Sequence, residues 1–210
     1  MLMLSPFLVL LEDHTWVCIA ISHRGANQWA NLRVYSTRVK ELITGINQIC
    51  SGNRGMNDRI RTIALQGHNY RRSRLALGRV RKNNGALLRP ATNMIKLRYD
   101  CRLETSAKEV ADKCTTSRSA LPPEVKENIH RIHRSSARFR TDAMIEMAWA
   151  TTKYIGCAVS QSCGSYWYIV CHYKIGGNVV NEHVYMPGRS CSQCPMGYYC
   201  DPSNGLCTKA

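Results

Sequence analysis

Tyr166-Trp167-Tyr168-Ile169-Val170-Cys171-His172-Tyr173 is a run of aromatic and β-branched residues that stops at Gly176-Gly177. Such side chains suit a pleated surface, so the run reads as a strand. A second strand is expected at 155–159, a short one opens at Glu127-Asn128-Ile129, and Val184-Tyr185 adds an edge strand before Pro187-Gly188. Helices frame these strands. Asp100 caps a helix whose one face is marked by Leu103, Ala107, Val110, Ala111 and Cys114, a helical spacing that places Cys114 to staple the buried side. Over 58–78, Ile60, Ile63, Ala64, Leu75 and Leu77 recur at roughly helical spacing, with Asn57 or Asp58 as N-cap and Gly78 as the stop. Residues 141–152 read as a further helix, with Met144, Met147, Ala148 and Thr151 on one side. Pro122-Pro123 keeps 117–124 a loop. Helices flanking a small antiparallel sheet give an α+β fold, a three-layer α/β/α sandwich.

Composition bounds the class. With 210 residues, 44% apolar and 20% charged, the chain is long enough for one globular domain with appendages. No run of eighteen apolar residues occurs, so no transmembrane segment is expected. Eleven cysteines are the strongest compositional signal: Cys18 stands alone before position 50, and seven fall within 157–207. Reducing compartments rarely carry so many, so the chain reads as extracellular and disulfide-stapled. Without Cys18, ten remain for five bridges: Cys50, Cys101, Cys114, Cys157, Cys163, Cys171, Cys191, Cys194, Cys200 and Cys207. Zinc competes at Cys191-x-x-Cys194, but Cys200 and Cys207 are unevenly spaced and form no second C-x-x-C knuckle.

The formal net charge is +15, and 54–89 hold ten basic residues against the single acid Asp58. A face of that kind attracts polyanions or anionic lipid, although a solvated basic face is the simpler reading. No nucleic-acid partner is expected, since no recognition motif or aromatic platform accompanies the charge. Residues 1–11 are apolar apart from Ser5 and Pro6, like the core of a secretory signal, yet no Lys or Arg precedes them and Glu12-Asp13 follow. Residues 1–46 are therefore set aside as a leader or ill-defined N-terminal segment. The principal domain is placed at 47–189 and a cysteine-rich, hinge-like tail at 190–210.

At this point the motifs resemble a family. His68-Asn69-x-x-Arg72-x-x-x-Ala76-x-Gly78, then Asn93-Met94-x-x-Leu97-x-Tyr99-Asp100-Cys101-x-Leu103-Glu104-x-x-Ala107, look like helix motifs of the CAP superfamily (cysteine-rich secretory, venom allergen and plant pathogenesis-related proteins) in its nematode secreted form. Glu127-Asn128-Ile129, Met147-Ala148-Trp149-Ala150-x-Thr152-x-x-Ile155-Gly156-Cys157 and Val170-Cys171-x-Tyr173-x-x-Gly176-Gly177-Asn178 are similar to three later signatures. Tyr185-x-x-Gly188-x-x-Cys191-Ser192-x-Cys194-Pro195 resembles the tail. All run in family order over about 50–207.

The resemblance implies a central cavity in which two histidines and two acids can hold a divalent cation. Carried over residue by residue, the tetrad is degenerate. Arg118 stands before Ser119 in place of the first histidine, Glu127 is retained, and Ala143 stands in place of the last histidine. The helix carrying the second glutamate has no room, because only 130–138 separate the flanking motifs; either the face is open or residues are missing from the gene reading. His130-x-x-His133 beside Glu127 is weighed as a replacement ligand set and reads as solvent-facing. No catalytic residue, cofactor or metal is assigned, and Ser117 and Ser119 show no His/Asp pair. The resemblance implies a secreted, non-enzymatic protein that binds a host protein, glycan or receptor through its surface. A sterol or fatty-acid carrier is the alternative, and a metal-dependent hydrolase ranks last.

Overall fold

Asn57 fixes where the first helix starts, its side-chain oxygen accepting the Ile60 N–H at 2.9 Å. The computed structural model describes residues 7–10, 16–19, 46–133, 149–160, 162–177 and 179–209. They fall in two units, 1–44 and 45–210. In the first, β1 (Phe7–Leu10) pairs antiparallel with β2 (Trp16–Ile19), setting Leu8 opposite Cys18. Every later element belongs to the second.

Helix α1 (Asp58–Ala76) stops just before Gly78, whose φ of +68° suits glycine, and a Cβ there would meet Pro90 Cγ at 2.9 Å. Strand β3 (Arg98–Tyr99) leads into α2 (Cys101–Ala111), where Asp100 accepts the N–H groups of Arg102 and Leu103 at 2.8 and 3.2 Å. Cys114 lies one turn beyond α2, not on its face: the chain leaves the helix and Cys114 takes φ 54°. Strands β4 (Val125–His133), β5 (Tyr154–Ser160) and β6 (Tyr166–Lys174) complete a sheet of order β3-β5-β6-β4. Only the β3–β5 pair is parallel.

Three expectations need correction. The strand opening at Glu127 is nine residues long, its alternating polar residues tolerated at the sheet edge. Val184-Tyr185 form no strand, because the Val184 carbonyl is taken by the Ala150 N–H at 2.8 Å; the nearby ladder contact joins Ala91 and Pro187. Residues 149–153 form a turn, not the end of a helix. The remainder of that helix (141–148) and most of the short 130–138 interval lie outside the described residues; 130–133 are the end of β4.

The sheet is buried on both faces, the three-layer α/β/α arrangement. Ala64 and Leu65 of α1 pack on Leu97, Ile155, Cys157, Cys171 and Tyr173. Ala107, Val110 and Ala111 of α2 pack on Ala158 and Val170 from the other side. A third cluster joins Leu75, Met94 and Ala150 to Leu206, which comes from the C-terminal hairpin of β7 (Tyr198–Asp201) and β8 (Leu206–Lys209). The Cys207 N–H donates to Met94 O at 2.8 Å, so the tail shares this core.

Five disulfides close the fold: Cys50–Cys101, Cys114–Cys163, Cys157–Cys171, Cys191–Cys200 and Cys194–Cys207. The sulfurs of Cys191, Cys194 and Cys207 cluster within 4.8 Å, but each is bonded to another sulfur and no thiolate is left for zinc. Cys50–Cys101 ties the strap before α1 to the start of α2 across 51 residues. Replacing both with alanine is expected to cost about 4 kcal/mol by loop-closure entropy. Urea unfolding of the double variant checks it, and a cost below about 1 kcal/mol would show that the strap is held by its hydrogen bonds alone.

Candidate functional site

Strand pairing, rather than sequence proximity, assembles the polar site. Glu127 on β4 lies directly opposite His172 on β6, and both face α2. His172 is fully buried. Its Nε2 lies 3.0 Å from Glu127 Oε2, and its Nδ1 lies 2.7 Å from Ser106 Oγ on α2. Glu127 Oε1 accepts the backbone N–H of Ser119 at 3.0 Å.

Burial lowers the His172 pKa against the opposing pull of Glu127, keeping the ring neutral. A carboxylate can only accept, so Nε2 carries the proton and Nδ1 accepts from the Ser106 hydroxyl. Each carboxylate oxygen of Glu127 thus has its own N–H donor. A groove of about 390 Å³ beside this chain is lined by Ser106, Glu109, Lys113, Ser117, Arg118 and Ser119.

The chain Ser106–His172–Glu127 resembles a hydrolase relay in its residue types. Its setting does not suit nucleophilic attack. Ser106 sits mid-helix, where neighbouring N–H groups serve the helix and cannot form an oxyanion hole, and its hydroxyl lies 3.1 Å from Leu103 O. Sequence reasoning missed His172 and Ser106. The signal was alternation: if Tyr173 faces α1, its neighbour must face α2.

Glu127 is therefore anchored, Arg118 is exposed on the groove, and Ala143 lies outside the described residues. His130 and His133 are not brought together, because strand pleating turns residues three apart to opposite faces; His130 also faces away from Glu127. His133 instead stacks edge-on against Tyr166, with ring centroids 5.1 Å apart. Among the described residues the donors do not suit a divalent cation as they stand: each Glu127 oxygen accepts an N–H, both His172 ring nitrogens are engaged by Glu127 and Ser106, and Arg118 brings positive charge to the groove.

His68, on the opposite face, is structural. Its Nδ1–H donates to Ala64 O at 2.7 Å, and its Nε2 accepts from Tyr173 Oη at 2.9 Å. Burial lowers its pKa from 6.5 to about 4. A depressed histidine pKa means that the unfolded chain binds more protons between those values. Stability is then complete above about pH 6.5 and falls as the pH drops toward 4. His68 alone is expected to remove about 2 kcal/mol between pH 7.5 and 5. Denaturation midpoints of wild type and His68→Gln at both pH values check this, and equal pH slopes would contradict it.

The basic stretch is smaller at the surface than its sequence suggests. Arg61 and Arg72 are buried, each only 1% exposed. Arg72 donates to the carbonyls of Ile95, Trp149 and Ala150 at 2.8, 2.7 and 3.0 Å, stitching the turn at 149–152 to α1.

No protein-family model matches the chain. It is 30% identical to an Ancylostoma secreted protein of Ancylostoma caninum, aligning 77% of this chain with 47% of that one. It is 29% identical to peptidase inhibitor 16 of Bos taurus, over 56% of this chain and 32% of that one. The chain thus spans about half the length of the first relative and a third of the second. Among solved structures, Na-ASP-1 superposes with a TM-score of 0.69 at 30% identity, covering 77% of this chain and 50% of that chain. A zinc-bound NaASP2 gives 0.64 at 26% identity, covering 74% and 98%.

Proposed function

The chain belongs to the CAP superfamily, and from that premise we propose that it is a secreted, non-enzymatic member acting by surface recognition at a host interface. The observation that carries this reading is the state of Glu127. The one cavity acid retained from the family tetrad spends both oxygens on the Ser119 N–H and on His172. It is a brace between β4, β6 and the loop at Ser119: its side chain is 6% exposed and each oxygen already accepts an N–H, so a cation or a substrate proton would compete with those bonds for a buried carboxylate.

Secretion is supported by five disulfides, which persist in oxidising compartments. No helix among the described residues is long and apolar enough to cross a membrane. The test is binding of fluorescent full chain to host epithelial or endothelial cells, with and without EDTA. Saturable, EDTA-insensitive binding is expected. Loss of binding in EDTA, or turnover of ester or peptide substrates by the wild type that Ser106→Ala abolishes, would overturn the reading.

A further inference from the structure

Residues 79–89 form an arm that no part of the cavity uses. The Leu88 N–H donates to Val80 O at 2.8 Å, the Lys82 N–H to Ala86 O at 2.7 Å, and Arg81 faces Leu87 across an antiparallel bridge. Gly85, at φ +82°, closes the turn. Alternation then sorts the side chains. Val80 and Leu88 pack on the cluster around Leu75 and Met94. Arg79, Arg81, Leu87 and Arg89 take the opposite side, and all four are exposed. Exposed Arg74 joins them from α1, donating to Arg79 O at 2.9 Å. No acid occurs between Asp58 and Asp100, and no salt bridge among the described residues includes these four arginines.

We propose that this arm binds a sulfated glycan chain, with Arg79, Arg81 and Arg89 as its principal contacts. The inference rests on the surface-recognition reading and names its partner. Guanidinium forks pair bidentately with planar or tetrahedral oxyanions, and arginine outnumbers lysine on this face. Same-face residues along a strand stand about 7 Å apart, as Arg79 and Arg81 do, and the Arg81–Leu87 register sets Arg89 across from Arg79, so the cations spread over one face and can meet successive charges of a polyanion instead of enclosing one ion.

Other polyanions fit less well. Single-stranded nucleic acid is held by several exposed stacking aromatics, whereas here exposed Tyr70 lies beneath Arg74 at 6.0 Å and Tyr185 is half-buried against the cluster under Val80 and Leu88. Anionic lipid is concentrated on the cytoplasmic leaflet, away from a chain that is secreted as proposed above. Leu87 is the one large apolar side chain exposed on the arm, too little to insert into a bilayer.

The full chain on immobilised heparin tests this. Retention should weaken linearly in log salt. Arg79→Gln/Arg81→Gln/Arg89→Gln should bind at least about tenfold more weakly, with a salt slope smaller by about 2 to 3. Arg98→Gln/Arg102→Gln/Lys209→Gln removes the same charge from exposed positions elsewhere and should change little. Equal weakening in both variants would overturn the proposal as a net-charge effect. Undiminished retention on desulfated heparin, or tighter binding of single-stranded DNA at equal salt, would overturn the choice of partner. Heparinase treatment of the host cells separates the two readings. Cell binding that survives both heparinase and the arm variant sinks the glycan proposal and leaves surface recognition standing, while no cell binding at all sinks both.

Discussion

Glu104→Ala is expected to cost about 3 to 5 kcal/mol, a large share of the roughly 5–15 kcal/mol that holds a folded domain. Arg61 grips Glu104 with two bonds, Nε to Oε2 at 2.6 Å and Nη2 to Oε1 at 2.7 Å, with both side chains at 0–1% exposure. The same carboxylate accepts from Tyr99 Oη at 2.6 Å and from Asn53 Nδ2 at 3.0 Å. Burial and Glu104 together raise the Tyr99 pKa, holding the phenol as a donor. Truncation strands a buried guanidinium with Asp58 as its remaining acid, at 2.8 Å, and leaves Tyr99 and Asn53 with only the backbone carbonyls of Cys157 and Cys101 as acceptors. A buried pair is not itself a large gain, since desolvation offsets its attraction, so Arg61→Met/Glu104→Leu should recover much of the loss. Chemical denaturation of the single and double variants decides it. A single-variant cost under about 1 kcal/mol, or an additive double, would contradict the account.

Gly156→Ala is expected to cost about 3 kcal/mol, at the upper end for overpacking. A Cβ at 156 would sit 2.2 Å from the Glu104 backbone N and 2.5 Å from the Leu103 carbonyl carbon. The obstruction is helix backbone, so no side chain can swing away; α2 must lift from the sheet. That motion would also loosen Ser106 from His172 and Glu104 from Arg61. Gly52→Ala meets nothing within 4 Å and is expected to fall within 0.5 kcal/mol of wild type. Thermal melts of the two variants should therefore differ by several degrees, and similar melts would show that α2 does not pack this closely.

Much of the fold was legible. The Tyr166 run and its double glycine mark β6 almost to the residue, and Asn57 and Asp100 mark two helix starts. What escaped depends on tertiary context. β4 looked like a fragment followed by a polar loop because an edge strand tolerates Lys126, Asn128, His130 and Arg131. Val184-Tyr185 has strand-forming residues but no partner edge, since Ala150 takes its carbonyl.

The candidate site was half visible. Glu127 could be found by motif, whereas Ser106 and His172 stand 66 residues apart and meet only when α2 crosses the sheet. Charge counting likewise treats every arginine alike. Arg61 and Arg72 are interior, Arg79, Arg81 and Arg89 are exposed, and only folding separates them.

The proposed function rests on Glu127 acting as a brace and not as a metal ligand. Calorimetric titration of the full chain with Zn²⁺ at pH 7.5 tests it most directly. The account predicts no saturable uptake at micromolar metal, with Glu127→Gln indistinguishable from wild type. One zinc bound per chain, lost in Glu127→Gln or His172→Gln, would contradict it.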